Sequence, residues 1–305
     1  MSSIFTHDLE GRDPIYLDAL NETLPWHKSA KNYWQSLYDQ NKDLLDLDFP
    51  NKLSYDFFSG LWELTLIDYL WRHENNHFEL LALPGKVSKP DFCFKYNGQK
   101  FFVEAVCSSP GNRVNLSVPL AEISGKARLT PIGEYKESLC ASLKEKAYTK
   151  YYGENSSGYK EYMTKTSGFI IAISVAKIPF FNQPRRLDVD MSCLFGLSSP
   201  KIPILPLSFP GNSEKLGRLY YDNSQPKFPK SSNISPIDSD YFTSEKYKHV
   251  SAVLISKHGN VFFPDIEKFE NNRIWDDIRN DFTLIHNPFA SIKLPRGLLS
   301  VRLEV

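Results

Sequence analysis

The chain has 305 residues, which is enough to bury a sizeable core as one elaborated domain or two small ones. Hydrophobic residues make up 41% of it and charged residues 24%, as is ordinary for a soluble globular protein. Its 36 basic and 36 acidic side chains cancel, so no overall charge points to nucleic acid or a membrane surface as partner.

The N-terminus and the cysteines together predict a cytoplasmic protein. The opening residues, MSSIFTHDLEGRDP, lack the basic and apolar regions of a secretory signal. No stretch approaches the roughly 20 consecutive apolar residues of a membrane-spanning helix, so no membrane partner is expected. Four scattered cysteines without a CxxC pair predict reduced thiols rather than a zinc site: Cys93, Cys107, Cys140 and Cys193.

Two helical regions are predicted at the start of the chain. Residues 1–50 are predicted to form an N-terminal helical arm, because apolar residues recur at helical spacing from Tyr33 to Leu45. A stronger helix is predicted at about 54–73, with Ser54 as its N-cap. Its apolar stripe consists of Phe57, Leu61, Leu64, Ile67 and Leu70.

The stretch KPDFCFKYNGQKFFVEAV, residues 89–106, predicts a β-hairpin. Asn-Gly between aromatic and β-branched residues favours a two-residue type I′ turn. With Asn97 and Gly98 as the turn, pairing outward places Asp91 opposite Glu104 on one face of the hairpin.

Two acids at facing strand positions repel each other, so a proton, a lysine or a divalent cation must offset the repulsion. Mg²⁺ is usually held in this way in phosphoryl-transfer sites, by one or two carboxylates and water. The alternative is a solvated strand end at which each acid has its own lysine, for instance Lys89 or Lys95.

The rest of the chain predicts a mixed α/β architecture, with residues 51–305 as the main domain. IGEYKESLCASLKEKAYTKYY predicts a helix, and GFIIAISVAKIP predicts a strand buried on both faces. Residues at about 182–247 predict an irregular excursion with short strands, because they are rich in Pro, Ser and Asn. HVSAVLISKH and FTLIHNPFA predict two further strands of a C-terminal elaboration.

Pro90-Asp91, the hairpin and Glu104 at the end of an apolar strand resemble the PD-(D/E)XK nuclease superfamily, and more narrowly a bacterial group within it. The resemblance implies a restriction-endonuclease-like mixed β-sheet flanked by helices. In that superfamily the preceding helix often supplies a further carboxylate, and Glu63 matches this role. The similar segments are FFSGLWELTLIDYLW, KPDFCF with FFVEAV, SLCASLKEKAYTKYY, VSAVLISKHGN and LIHNPFASIKLPRGLL.

The chain departs from the superfamily pattern at Val106, where a lysine is usual two residues after the second acid. Some members supply the lysine from the following helix. Lys146 is the candidate here, because it lies nearer the apolar stripe than Lys144 or Lys150. If no lysine reaches the acids, the fold is expected to serve binding without cleavage.

The resemblance implies metal-assisted hydrolysis of a phosphodiester. Asp91 and Glu104, with the carbonyl of Ala105, would bind Mg²⁺ or Mn²⁺. Glu63 would bind a second ion or orient the water, and Lys146 would meet the developing negative charge. The expected partner is nucleic acid, DNA in preference to RNA, with a possible role in defence against foreign nucleic acid. A homodimer is compatible with the sequence.

Two alternative functions remain open. The first is a non-catalytic binding protein with the same fold, which Val106 favours. The second is a zinc metalloprotease, because His73, Glu74 and His77 form an HExxH motif. Asn75 and Asn76 are unfavourable inside a helix, and the apolar periodicity stops before the motif, so a solvated helix end is preferred to a zinc site.

Overall fold

A computed structural model describes most of the elements that the sequence predicts. The described residues are 3–5, 11–23, 27–73, 79–81, 83, 89–109, 132–153, 158–163, 166–178, 187–195, 227–228, 237–238, 240–243, 245–256, 281–299, 301 and 303–305. Within them, no helix has the length and apolar character needed to cross a membrane.

A mixed sheet forms the centre of the described structure. It contains seven strands in the order β1-β2-β3-β4-β7-β8-β9 among the described residues, and a separate two-stranded sheet pairs β5 with β6. The pairs β3–β4, β4–β7 and β8–β9 are parallel, and the others in the large sheet are antiparallel. The strands are β1 Glu79–Leu81, β2 Phe92–Tyr96, β3 Gln99–Cys107, β4 Gly168–Ser174, β5 Lys227–Phe228, β6 Ile237–Asp238, β7 Ala252–Ser256, β8 Phe282–His286 and β9 Leu303–Glu304.

Helices cover both faces of the sheet, which confirms the α/β class. The α-helices of the described residues are α1 Pro14–Leu20, α2 His27–Asn41, α3 Phe49–Tyr55, α4 Phe57–His73, α5 Ile132–Lys144 and α6 Leu187–Phe195. A π-helical segment, Glu145–Lys150, continues α5. Short 3₁₀ turns lie at Lys42–Leu44, Tyr159–Glu161 and Glu245–Tyr247.

The two faces of the sheet bury separate apolar cores. Helices α1–α4 pack on one face through Trp34, Phe57 and Trp62, which meet Phe94 and Phe101 from the hairpin. Helices α5 and α6 pack on the other face, where Phe102 and Phe169 are buried. Phe102 is buried in this second core while its neighbours Phe101 and Val103 are buried in the first, because both faces of β3 are covered.

The predicted hairpin forms in the predicted register. Phe92 pairs with Val103, Phe94 with Phe101 and Tyr96 with Gln99. Asn97 and Gly98 have φ of 48° and 81°, the left-handed values that a type I′ turn requires at both central positions. The strand predicted in GFIIAISVAKIP also forms, at Gly168–Ser174, and is buried along its whole length; strands form at both predicted C-terminal positions as well.

The helix predicted at 54–73 is in fact two helices, and the Ser54 cap is wrong. Ser54 lies inside α3. The helical conformation is interrupted at Asp56, and α4 begins at the next residue. The Asp56 carboxylate accepts hydrogen bonds from the backbone N–H and the hydroxyl of Ser59, as an N-cap does. Asp56 also contacts Lys177 at 2.6 Å, which joins the start of α4 to the loop after β4.

The N-terminal segment predicted as an arm packs into the core against α4. Tyr16 of α1 and Trp34 of α2 are buried and contact the ring of Phe57. The helical spacing of apolar residues in the sequence runs on to Leu45. In the structure α2 ends earlier, at Asn41, and Leu44 and Leu45 lie beyond its end. Large aromatic surfaces thus hold this segment on one face of the sheet.

Much of the predicted excursion at 182–247 lies outside the described residues. The part that is described includes α6, a helix that the sequence analysis did not predict. Cys193 and Leu194 of this helix are fully buried against α5 and its surroundings. All four cysteines are buried and free, in agreement with the prediction of reduced thiols.

Gly60 sets the distance between α3 and α4, and we predict that Gly60→Ala destabilises the protein. A Cβ at position 60 would lie 2.9 Å from the Cα of Leu53 on α3, which has no room to move away without shifting the helix. Overpacking of this kind costs about 1–3 kcal/mol of unfolding free energy. Urea unfolding measures the change. Ser36→Ala on the exposed side of α2 is the control, and equal stability of the two variants would contradict the prediction.

Candidate functional site

Four separate segments bring the predicted site residues to one end of the hairpin. Glu63 projects from the middle of α4, Asp91 immediately precedes β2, and Glu104 lies near the end of β3. Lys146 comes from the π-helical segment on the other face of the sheet. Trp62, beside Glu63, donates its indole N–H to the carbonyl of Ala172 on β4 at 3.1 Å, which fixes this part of α4 against the sheet.

Asp91 does not pair with Glu104 as a regular cross-strand neighbour. The ladder between β2 and β3 ends at Phe92 and Val103, one residue before the predicted pair. The Asp91 carboxylate instead accepts a hydrogen bond from the backbone N–H of Ala105 at 2.7 Å. The Asp91 side chain therefore bonds to the β3 backbone just beyond the last backbone pair of the two strands. This bond holds the carboxylate near the end of β3.

Lys52, which the sequence analysis missed, joins two of the acids. Its amine on α3 is in close contact with Glu63, and it lies 3.7 Å from Asp91. The Glu63 side chain is only 5% exposed, so the amine balances a buried charge. No local pattern marks this lysine, because it approaches the hairpin only through the packing of α3 on α4.

Glu104 is bonded on the opposite side by Lys146 and Tyr159. Its Oε1 accepts from the Lys146 amine at 2.7 Å and from the Tyr159 hydroxyl at 2.9 Å. Its Oε2 is buried and has no hydrogen-bond partner among the described residues. A buried carboxylate oxygen without a donor is costly, so this atom can accept a further proton or cation.

The cluster of Glu63, Asp91 and Glu104 is short of positive charge. Burial, and after it the nearby Asp91 carboxylate, raise the pKa of Glu63 and of Glu104 to about 8 each, against the opposing effect of the lysines. Burial also raises the pKa of Asp91. Burial lowers the pKa of both Lys52 and Lys146, but the carboxylates outweigh it, so both lysines have a raised pKa and are charged.

The residues fit a divalent cation in their chemistry, although they are not arranged around one. Within the described part of the chain, no three His, Cys, Asp or Glu side chains are grouped so that they could hold a metal ion. Instead, Lys52 contacts Glu63 and Lys146 contacts Glu104, so these carboxylates are paired with amines. Three carboxylates face two amines, and the free Glu104 Oε2 is a hard oxygen donor of the kind that Mg²⁺ and Mn²⁺ prefer.

Val106 and the C-terminal histidine have structural contacts. Val106, at the position where the superfamily usually has lysine, packs against the core under α5. His286 contacts Glu304 at 2.6 Å, and Asn287 donates to the carbonyls of Tyr247 and Val250. These bonds give His286 and Asn287 structural roles at the end of β8. Glu74 and His77 of the HExxH motif lie outside the described residues, and α4 ends at His73.

Comparisons of the chain with protein-family models, curated proteins and solved structures give no match.

We predict that Lys52→Met destabilises the protein above about pH 8, the raised pKa of Glu63, because it leaves the buried Glu63 carboxylate without its cation. Removing one partner of a buried pair costs about 3–5 kcal/mol, and the 42% exposure of the Lys52 side chain reduces the expected loss to about 1–3 kcal/mol. Urea unfolding of Lys52→Met, Glu63→Gln and the double variant measures the coupling. The double variant should recover much of the loss, and additive effects would contradict the pairing.

We predict that Glu104→Gln removes part of the pH dependence of stability. The pKa of Glu104 is about 8 in the folded protein, against 4.5 for an ordinary glutamate, so between these values the folded state keeps a proton that the unfolded chain releases. The unfolding free energy of the wild type therefore falls as the pH rises through this window. Glutamine cannot ionise, so the variant should gain about 1–3 kcal/mol relative to the wild type between about pH 5 and about pH 8.

Urea unfolding across the same pH range measures this gain. Glu161→Gln, an exposed glutamate in the 3₁₀ turn beside Tyr159, is the matched control and should leave the pH dependence unchanged. Parallel pH curves for Glu104→Gln and the wild type would show that the folded protein does not hold this proton.

Proposed function

We propose that this protein is a metal-dependent nuclease with a restriction-endonuclease-like core of the PD-(D/E)XK type. The order of α4, the β2–β3 hairpin, α5 and the parallel strand β4 supports this fold, and the helical N-terminal segment elaborates it. The observation that carries the proposal is the convergence of Glu63, Asp91 and Glu104 from three segments, with Lys146 bonded to Glu104.

Asp91 and Glu104 would hold Mg²⁺ or Mn²⁺, with Glu63 and the carbonyl of Ala105 completing the protein donors. Such an ion, when bound, supplies positive charge to a phosphate group and makes water more acidic. The N–H of Ala105 orients the Asp91 carboxylate, and the Tyr159 hydroxyl orients Glu104. Both acids are therefore held by bonds that do not depend on a metal.

Lys146 supplies the cation that the superfamily pattern usually places at position 106. Its side chain is 14% exposed, so its amine is held near Glu104 with little freedom. An ammonium group in this position stabilises negative charge that develops on a phosphate oxygen in the transition state. Lys52 balances Glu63 and Asp91 from the other side and keeps three acids compatible in one buried cluster.

A non-catalytic nucleic-acid-binding protein with this fold is the second candidate. It is favoured by the engagement of both lysines with carboxylates and by the packing of Val106 into the core. In that function the lysines would serve permanently as the counter-ions of the acids.

Hydrolysis of a panel of DNA and RNA substrates in Mg²⁺ or Mn²⁺ tests the nuclease. We predict that the wild type cleaves DNA in preference to RNA, and that Asp91→Ala lowers the rate about 100-fold or more, because it removes a cation donor. Asp43→Ala, an exposed acid after α2, is the control and should retain full activity. Equal activity of Asp91→Ala, or no cleavage of any substrate, would refute the nuclease.

Thermal unfolding with and without the ion gives a second measurement that is independent of activity. A cation that binds the folded state raises the melting temperature as its concentration exceeds its dissociation constant. The wild type should be stabilised by Mn²⁺, and Asp91→Asn should lose this response while keeping its fold. A protein that Mn²⁺ does not stabilise and that cleaves nothing would favour the binding protein.

A further inference from the structure

Two exposed tyrosines lie on the helical segment that carries Lys146. Tyr148 is 44% exposed and Tyr152 is 40% exposed, which is unusual for side chains of this size. Their ring centroids are 5.1 Å apart with an interplanar angle of 56°. The helix ends immediately after them at Gly153, which has a positive φ of 72°. The two rings are therefore adjacent and partly exposed at the end of the helix.

Lysines from two other segments surround these rings. The Lys160 amine lies 5.7 Å from the ring centroid of Tyr152, and the Lys246 amine lies 5.9 Å from that of Tyr148. Lys248, two residues after Lys246, is exposed and pairs with Glu245 at 3.2 Å. Aromatic rings interleaved with amines, which could not be seen in the sequence, are thus assembled from segments far apart in the chain.

A cleft of about 510 Å³ opens beside the tyrosines. Tyr151, Tyr152 and His249 line it, together with Lys246, Lys248 and Glu245. Tyr151 stacks on His249 with centroids 3.8 Å apart and an angle of 18°, and the His249 Nε2 is bonded to the carbonyl of Ala147 at 2.7 Å. Burial lowers the pKa of His249 to about 4, so its ring is neutral and contributes an aromatic face.

Two segments of the chain contribute residues both to this surface and to the carboxylate cluster. The π-helical segment Glu145–Lys150 carries Lys146 toward Glu104 and Tyr148 toward solvent. Lys160 follows Tyr159, whose hydroxyl bonds to Glu104. π-Helical turns inside α-helices occur often at functional sites, and this one sets the relative direction of two groups of side chains.

We propose that Tyr148 and Tyr152, with Lys160, Lys246 and Lys248, form a binding surface for single-stranded nucleic acid. Unpaired bases can stack on the exposed rings, which contributes about 1–3 kcal/mol per base, and the amines attract the phosphates between them. The bases of an intact duplex are already stacked on each other and cannot use the rings. The inference rests on the proposed function for its link to cleavage, and it names single strands as the substrate class.

Fluorescence anisotropy in EDTA tests binding without any hydrolysis. The probes are a labelled single strand of about 20 thymidines and a duplex of the same length, at salt from about 50 to about 200 mM. The wild type should bind the single strand more tightly. Tyr148→Ala/Tyr152→Ala should weaken this binding about 10-fold or more, and Tyr148→Phe/Tyr152→Phe should retain it, because phenylalanine keeps the ring.

Two further variants complete the test. The first measures the contribution of charge, and the second shows whether the loss of any exposed tyrosine weakens binding. Lys246→Ala should weaken binding and reduce the slope of affinity against salt by about 1, because one phosphate contact is lost. Tyr55→Ala removes an exposed tyrosine from α3 and should leave binding unchanged. Circular dichroism checks that each variant is folded.

Unchanged binding by Tyr148→Ala/Tyr152→Ala, tighter binding of the duplex, or no binding of either probe would overturn the inference. Asp91→Ala separates it from the proposed function, since this variant should bind the single strand as the wild type does while losing cleavage. If the wild type cleaves nucleic acid but the tyrosine substitutions do not change binding of the single strand, the binding surface is refuted and the nuclease is not. Binding that depends on the tyrosines, without cleavage in Mg²⁺ or Mn²⁺, supports the surface and refutes the nuclease.

Discussion

Burial of three carboxylates at one end of the hairpin is the constraint on which the rest of this structure depends. An ionised carboxylate loses its hydration when it is buried, and the loss must be offset by hydrogen bonds and by opposite charge. Here Lys52 approaches from α3 and Lys146 from the segment after α5, so each face of the sheet contributes one cation. The ion pairs of these two lysines therefore join both helical layers to the cluster at the end of the hairpin.

This arrangement also explains why the N-terminal segment is part of the site. Helix α3 packs closely on α4 at Gly60 and Leu53, and the same contact brings the Lys52 amine to Glu63. Asp56 then caps α4 and binds Lys177 after β4, which fixes the helix along the sheet. The positions of two charged side chains thus follow from the apolar packing of two helices and one helix cap.

The π-helical segment links the carboxylate cluster to the tyrosine surface. In a regular α-helix side chains advance by about 100° per residue, and a π-helical turn changes that angle locally. Lys146 meets Glu104 while Tyr148, two residues further along, and Tyr152 remain exposed on the same helix. A strand bound by its bases on the rings would carry its phosphates toward the amine that meets Glu104, which relates the two proposals through a single element.

The resemblance to the nuclease superfamily supplied the choice of Glu63 and the search for a lysine such as Lys146. Local patterns in the sequence determined the hairpin with its register, the nomination of Asp91 and Glu104, the buried strand β4 and the helix that begins at Ile132. They did so because turn residues, alternation and helical periodicity act over a few neighbouring positions. The tertiary structure alone decided that Lys52 bridges Glu63 and Asp91, that Asp91 bonds to the Ala105 N–H rather than pairing across from Glu104, and that Lys246 lies by Tyr148. Helix α6 was likewise missed, because its nine residues span too few turns to show a clear helical period. Such contacts join segments that are distant in the chain, and only the packing of the helices on the sheet brings them within reach.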